Sequence, residues 1–149
     1  MMHSIAAKHV LAGLLAAFML GAPAVAQQME TDAQSAERYF DRLDQKKQGF
    51  FTLADMQRIE GKAFNRIDIN QDGELTLSEF TDGIPSDRED IIDRFTRRFE
   101  LADADESGEV PLQEYMDFCA RVVAAADTNQ DGMVTKEEFV AASSSGSAE

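Results

Sequence analysis

The chain has 149 residues, 14 Lys and Arg against 28 Asp and Glu, a formal net charge of −14 and a single cysteine. That length allows one domain or two very small ones. So acidic a chain is repelled by phosphate backbones and anionic lipid, which argues against nucleic-acid and membrane-surface binding and favours a cationic partner, a metal ion or a basic protein.

Residues 1–26 read as a secretory signal peptide. Lys8 supplies the positive start, an apolar run extends from Val10 to Leu20, and Ala24-Val25-Ala26 offers a small-residue cleavage site before Gln27. The run is too short for a membrane-spanning helix, which needs roughly 20 residues. No Cys stands at the cleavage site, so neither a membrane anchor nor a lipid anchor is expected. The product is expected to be exported, to a periplasm or to the outside. Both histidines, His3 and His9, leave with the leader, which removes most His-based catalysis. The remaining 123 residues carry 13 basic and 28 acidic side chains.

Thr31-x-x-Gln34 fits a capping box opening a first helix through Ala36, Tyr39, Phe40 and Leu43. A twelve-residue loop, Asp44 to Asp55, follows; it has Asp first and Gly49 sixth but Lys46 at position three. The shorter Asp55 stands where a bidentate Glu belongs. The next loop, Asp68-Ile69-Asn70-Gln71-Asp72-Gly73-Glu74-Leu75-Thr76-Leu77-Ser78-Glu79, fits the pattern D-x-[DN]-x-[DN]-G-x5-E in full. Asp68, Asn70 and Asp72 alternate so that three side-chain oxygens converge, and Gly73 takes the turn. The Glu74 carbonyl and Thr76 add oxygens, and Glu79 closes the shell with both of its own.

Thr81, Gly83 and Pro85 then punctuate the chain, and Ser86-x-x-Glu89 resembles a capping box for a helix carrying Ile91, Ile92, Phe95 and Phe99 inward. The third loop runs from Asp103 to Glu114. Asp103, Asp105 and Glu114 supply carboxylates, Ser107 a hydroxyl and Glu109 a carbonyl; Pro111 at position nine supplies no side-chain oxygen, so a water is expected there and weaker binding with it. Cys119, with Tyr115, Met116, Val122 and Val123 at helical spacing, reads as a buried core thiol. The fourth loop again fits in full, with Asp127, Asn129, Asp131, the Met133 carbonyl, Thr135 and Glu138. Residues 143–149 show no apolar face and are expected to form a disordered tail.

The flanks turn these matches into a repeat. Four residues before each loop stand Phe40, Phe64, Phe99 and Val123; position eight is Phe51, Leu75, Val110 and Val134; just past each loop come Met56, Phe80, Tyr115 and Phe139. On these residues the chain resembles the EF-hand superfamily, calmodulin-like in its four loops. It is more closely similar to the small exported EF-hand calcium-binding proteins of bacteria, over about residues 31–142. The resemblance implies calcium binding and no catalysis. About seven hard oxygens per loop suit Ca²⁺ better than Mg²⁺, and three intact loops give about three Ca²⁺ per chain.

Loop starts at 44, 68, 103 and 127 are separated by 24, 35 and 24 residues. A spacing of 24 leaves room for one shared helix. Leu53 to Asp68 spans about 24 Å as a helix, which puts its two loops at opposite ends. The second and third loops should then pair centrally and the first with the fourth, with Phe51 opposite Val134 and Leu75 opposite Val110. The expected fold is all-α: EF-hand repeats, the first degenerate, in one compact domain of residues 27–142 with short β-bridges. The looser alternative is two tethered halves. A sensor, a calcium-stiffened adaptor with an unidentified protein partner, or a buffer all suit this plan. The four methionines beyond the leader, Met29, Met56, Met116 and Met133, do not by themselves make a Met-rich groove. An enzyme is disfavoured, since there is no Gly-rich phosphate loop and no Ser-centred elbow.

Overall fold

In the computed structural model, which describes residues 32–145, both 24-residue spacings are taken up by one unbroken helix. Helix α1 covers Asp32–Leu43 and strand β1 Phe50–Phe51; helix α2 then runs Leu53–Ile67. Strand β2 (Glu74–Thr76) leads into the short α3 (Leu77–Thr81), and α4 follows over Glu89–Ala102. Strand β3 (Glu109–Pro111), α5 (Leu112–Ala126), β4 (Val134–Thr135) and α6 (Lys136–Ser145) complete the described chain. The leader, the Thr31 capping box and residues 146–149 lie outside the described residues.

Each helix entering a loop ends in the same way. The amide of the loop's first Asp donates to the carbonyl of the apolar residue four positions back: Asp44 to Phe40 (2.8 Å), Asp68 to Phe64 (2.9 Å), Asp103 to Phe99 (2.8 Å) and Asp127 to Val123 (2.8 Å). The last helical hydrogen bond therefore ties the first residue of each loop to the backbone of a residue whose side chain lies in the core. Gly61 does not break α2. A Cβ there would meet the Met116 methyl at 4.0 Å, so α2 and α5 pack closely side by side.

The loops pair as the helix lengths require. Strands β1 and β4 are antiparallel with Phe51 opposite Val134, and β2 and β3 with Leu75 opposite Val110. All four of these residues are fully buried. Helix α1 packs on α6, α2 on α5 and α3 on α4. Rings from both ends join one continuous core: Phe51 meets Phe139 edge-on at 5.5 Å, and Phe80 meets Phe99 at 5.5 Å. This is one compact domain and not two tethered halves. Among the described residues no helix is long and apolar enough to cross a membrane.

Two local expectations need correction. Helix α4 starts at Glu89 with Arg88 at its N-cap and no side-chain cap bond, so Ser86 lies too far upstream to cap it. A capping box needs its acid at the third helical position, and Glu89 occupies the first. Arg88 instead grips Asp90 through two bonds of 3.1 and 3.2 Å. The chain also stays helical past residue 142: α6 reaches Ser145, and Ser143 is buried with its hydroxyl donating to the Phe139 carbonyl at 2.7 Å. That internal bond satisfies the one polar group that would otherwise bar serine from a core-facing position.

One feature of the core has no counterpart in the motif pattern. Glu60 of α2 and Arg98 of α4 are both buried and form an ion pair of 2.6 Å. Tyr115 of α5 donates to Glu60 Oε2 at 2.7 Å, Tyr39 of α1 donates to Oε1, and Arg98 also donates to the Tyr115 oxygen. The visible signal was a charge on each apolar stripe: Glu60 falls four residues after Met56 and four before Phe64, and Arg98 three after Phe95.

Candidate metal centres

All four loops share one backbone. Position four is left-handed in each, at Lys47 (φ 53°), Gln71 (60°), Glu106 (60°) and Gln130 (61°), a region seldom used by residues with a β-carbon. Position six is glycine with φ between 83° and 86° at Gly49, Gly73, Gly108 and Gly132. The amide of that glycine donates to the first Asp: 2.7 Å to Asp44, 3.1 Å to Asp68, 2.9 Å to Asp103 and 2.9 Å to Asp127. One carboxylate oxygen of each Asp thus fixes the turn.

In the second loop the other oxygen of Asp68 is buried and accepts no hydrogen bond. A carboxylate oxygen without a partner costs free energy that a cation would offset. Asn70 and Asp72 are tied together: the Asp72 amide donates to Asn70 Oδ1 at 2.9 Å, and Asn70 Nδ2 to Asp72 Oδ2 at 2.8 Å. Glu79 closes over the loop. Its Oε2 accepts from the Thr76 amide and hydroxyl, both at 2.9 Å, and its Oε1 from the Ile69 amide at 3.1 Å. Burial alone would raise the Glu79 carboxyl, but these donors outweigh it and hold the group below the usual carboxylate range.

The fourth loop repeats this arrangement. The Asp131 amide donates to Asn129 at 2.9 Å, and Thr135 binds Glu138 Oε2 through its amide (3.0 Å) and hydroxyl (2.9 Å). The Thr135 amide is the main reason that Glu138 stays ionised at lower pH than an ordinary glutamate. Met133 is exposed beside them, and its amide donates to Asp131 Oδ1 at 2.8 Å.

The third loop differs where Pro111 replaces threonine. Pro111 makes no side-chain cap bond to Glu114. Glu114 Oε1 accepts from the Ala104 amide at 2.8 Å, while Oε2 is buried and accepts none. Asp103, Asp105 and Glu114 each bring a carboxylate oxygen to within 4.8 Å of the others, the one such group among the described residues. Ser107 donates its hydroxyl to the Glu109 carbonyl at 2.8 Å and its oxygen accepts from the Glu109 amide at 3.4 Å. The Glu74 and Glu109 side chains sit against each other across the β2–β3 ribbon, which raises the Glu74 carboxyl.

The first loop keeps the frame but not the donors. Thr52 and Asp55 form the same reciprocal cap, with the hydroxyl donating at 2.8 Å. Lys46 Nζ lies 3.1 Å from Asp55 Oδ1, and Arg58 3.7 Å from the same oxygen. The Thr52 hydroxyl, aided by Lys46, lowers the Asp55 carboxyl. Loops 68–79, 103–114 and 127–138 therefore keep hard oxygen donors of the kind a divalent cation takes, whereas loop 44–55 holds a closed ion pair.

Comparison with known proteins agrees with this geometry. The EF hand family model matches residues 60–84 and 124–141, which contain the second and fourth loops. The chain is 28% identical over 131 positions to the Probable calcium-binding protein CML34 of Arabidopsis thaliana, covering 72% of this chain and 95% of that protein. It is 25% identical over 126 positions to the 16 kDa calcium-binding protein of Schistosoma mansoni, covering 68% and 88%. The chain is thus similar to EF-hand proteins at its second and fourth loops, and its mostly helical architecture with short antiparallel strand pairs is of the same kind.

Proposed function

We propose that this protein binds Ca²⁺ at three sites, in the loops 68–79, 103–114 and 127–138. It would act as a calcium sensor or calcium-stabilised interaction module in an exported compartment. The observation that carries the reading is the common frame of the loops with inward carboxylate oxygens lacking any donor, at Asp68 and Glu114. The names of both relatives support the choice of ion. Counted over twelve positions, the formal charges are −4, −5 and −3 in these loops and zero in loop 44–55. The charged loops repel themselves when empty, so metal binding and folding are coupled. Asp68, Asn70, Asp72, Glu74, Thr76 and Glu79 would hold one ion. Asp103, Asp105, Ser107, Glu109 and Glu114 would hold a second, and Asp127, Asn129, Asp131, Met133, Thr135 and Glu138 a third. The ion supplies positive charge that cross-links both ends of each loop.

The leader pattern supports export, as in the bacterial proteins that the sequence resembles. A buffer without a protein partner is the second reading. It is favoured by the exposed large apolar residues among those described, Ile69, Leu77, Leu112 and Met133, of which one is a methionine. Calorimetric titration of the chain tests the count. Three Ca²⁺ are expected, with one lost in each of Glu79→Gln, Glu114→Gln and Glu138→Gln and none in Asp55→Asn. Competition should show Mg²⁺ far weaker. Four sites, or a site lost with Asp55, would refute the assignment. Calcium-dependent binding of a hydrophobic dye separates sensor from buffer.

A further inference from the structure

We propose that the Lys46 ammonium is the built-in cation of the first loop, and that it makes loop 44–55 a metal-independent template that holds the fourth site ready before calcium arrives. This rests on the calcium reading above and assigns an order among its sites.

Lys46 stands at position three, where the other loops place Asn70, Asp105 and Asn129. Its Nζ lies 3.1 Å from Asp55 Oδ1 at position twelve, so one charge joins the two ends of the loop as a coordinated ion would. The rest of the frame is already complete. The Asp44 carboxylate accepts from the Gln48 and Gly49 amides at 2.9 and 2.7 Å, Lys47 has taken the left-handed turn, and Thr52 caps Asp55. The loop has no net charge, whereas the other three carry −3 to −5, so no self-repulsion opens it in the absence of metal.

The consequence passes through the ribbon. Phe51 pairs with Val134 and Phe50 with Thr135, and Thr135 is the residue that grips Glu138. Phe51 is also wedged against Phe40 at 5.7 Å and Phe139 at 5.5 Å, and Phe139 follows Glu138 directly. A loop fixed by its own lysine therefore fixes the strand and the position-twelve glutamate of the fourth site. The ribbon between the second and third loops has no such partner, since both of its loops are strongly negative. Lys46 is 63% exposed, so the effect is that of an exposed charge, removing repulsion and closing a loop, and not of a strong buried ion pair.

The test is amide hydrogen exchange by NMR on the full chain in chelator, with Lys46→Met and Lys46→Arg beside it. In the metal-free wild type, Phe51 and Val134 should exchange more slowly than Leu75 and Val110. Lys46→Met should erase that difference and weaken calcium at the fourth loop, followed at the Gly132 amide, by about two- to fivefold, the range of an exposed ion pair. Lys46→Arg should restore both. Equal exchange at the two ribbons in the metal-free wild type, or a Lys46→Met chain that keeps the difference, would overturn the proposal. The exchange comparison uses no calcium, so a failure of calcium binding and a failure of this inference give different results.

Discussion

Arg98 and Glu60 meet at 2.6 Å in the middle of the apolar core, 38 residues apart in sequence and both at most 1% exposed. Through Tyr39 and Tyr115 the pair touches α1, α2, α4 and α5. It thereby joins the helices that enter all four loops, and Tyr115 directly follows Glu114, the last residue of the third loop. Burial alone would raise the Glu60 carboxyl; the Arg98 charge and the hydroxyls of Tyr39 and Tyr115 outweigh it and hold the group below its ordinary value.

Removing one partner leaves the other charged and dry. Glu60→Leu or Arg98→Met alone should each destabilise the chain by about 3–5 kcal/mol, whereas the double variant should recover most of the loss. Urea denaturation at fixed free calcium reads both. Single variants within about 1 kcal/mol of wild type would show that water reaches this cluster.

The same pair sets an acid limit. As pH falls past the ordinary glutamate value of 4.5, the unfolded state takes up a proton that folded Glu60 still refuses, so protons favour unfolding. Its stabilisation is present above that value and is lost as pH falls through the lower folded one. The stability difference between wild type and Glu60→Gln, measured in chelator so that the loop carboxylates cancel, should be flat from pH 7 to about 5 and shrink below about 4. A difference independent of pH would exclude an ionised Glu60.

Much of this plan was legible because two independent patterns coincide. Ligand spacing places the loops, and apolar residues at fixed offsets place the core: Phe64, Leu75 and Phe80 around one loop are matched by Phe99, Val110 and Tyr115 around another, all buried. The pairing of loops followed from helix length alone, since the unbroken fifteen-residue helix α2 runs out of one loop and into the next and so puts them at opposite ends. The partners of Glu60 were not legible. A charge on an apolar stripe shows that something must satisfy it, but Arg98 lies on a helix whose approach is a tertiary fact. Ser86 misled because a capping box fixes spacing and not the starting residue of the helix. At the site, the motif identified Pro111 as a missing donor. That its absence strands Glu114 Oε2 without a hydrogen bond appears only once the loop is closed.

Cys119 is fully buried in α5, and burial pushes its thiol up to about 12. Both effects oppose thiolate chemistry at neutral pH. The native protein should therefore react with a thiol-specific reagent only through opening, at a rate that falls as calcium is added, and should react at once in denaturant. Rapid labelling of the calcium-loaded chain would show that α5 is not packed as described.

Phe51 carries no ligand atom, yet it is the residue through which the first loop reaches the fourth. It is fully buried, packs on Phe40 and Phe139, and pairs with Val134. Phe51→Ala should cost about 3–5 kcal/mol, because the cavity opens between two helices, α1 and α6, that hold their own ends of the core. The calcium effect should be unequal. The site at 127–138 should weaken most, since Thr135 and Glu138 lose the strand that positions them, while 68–79 and 103–114 keep the Leu75–Val110 ribbon intact. Site-resolved titration, following the Gly73, Gly108 and Gly132 amides, distinguishes this from general destabilisation. An equal loss at all three loops would mean that Phe51 acts through global stability and not through its strand.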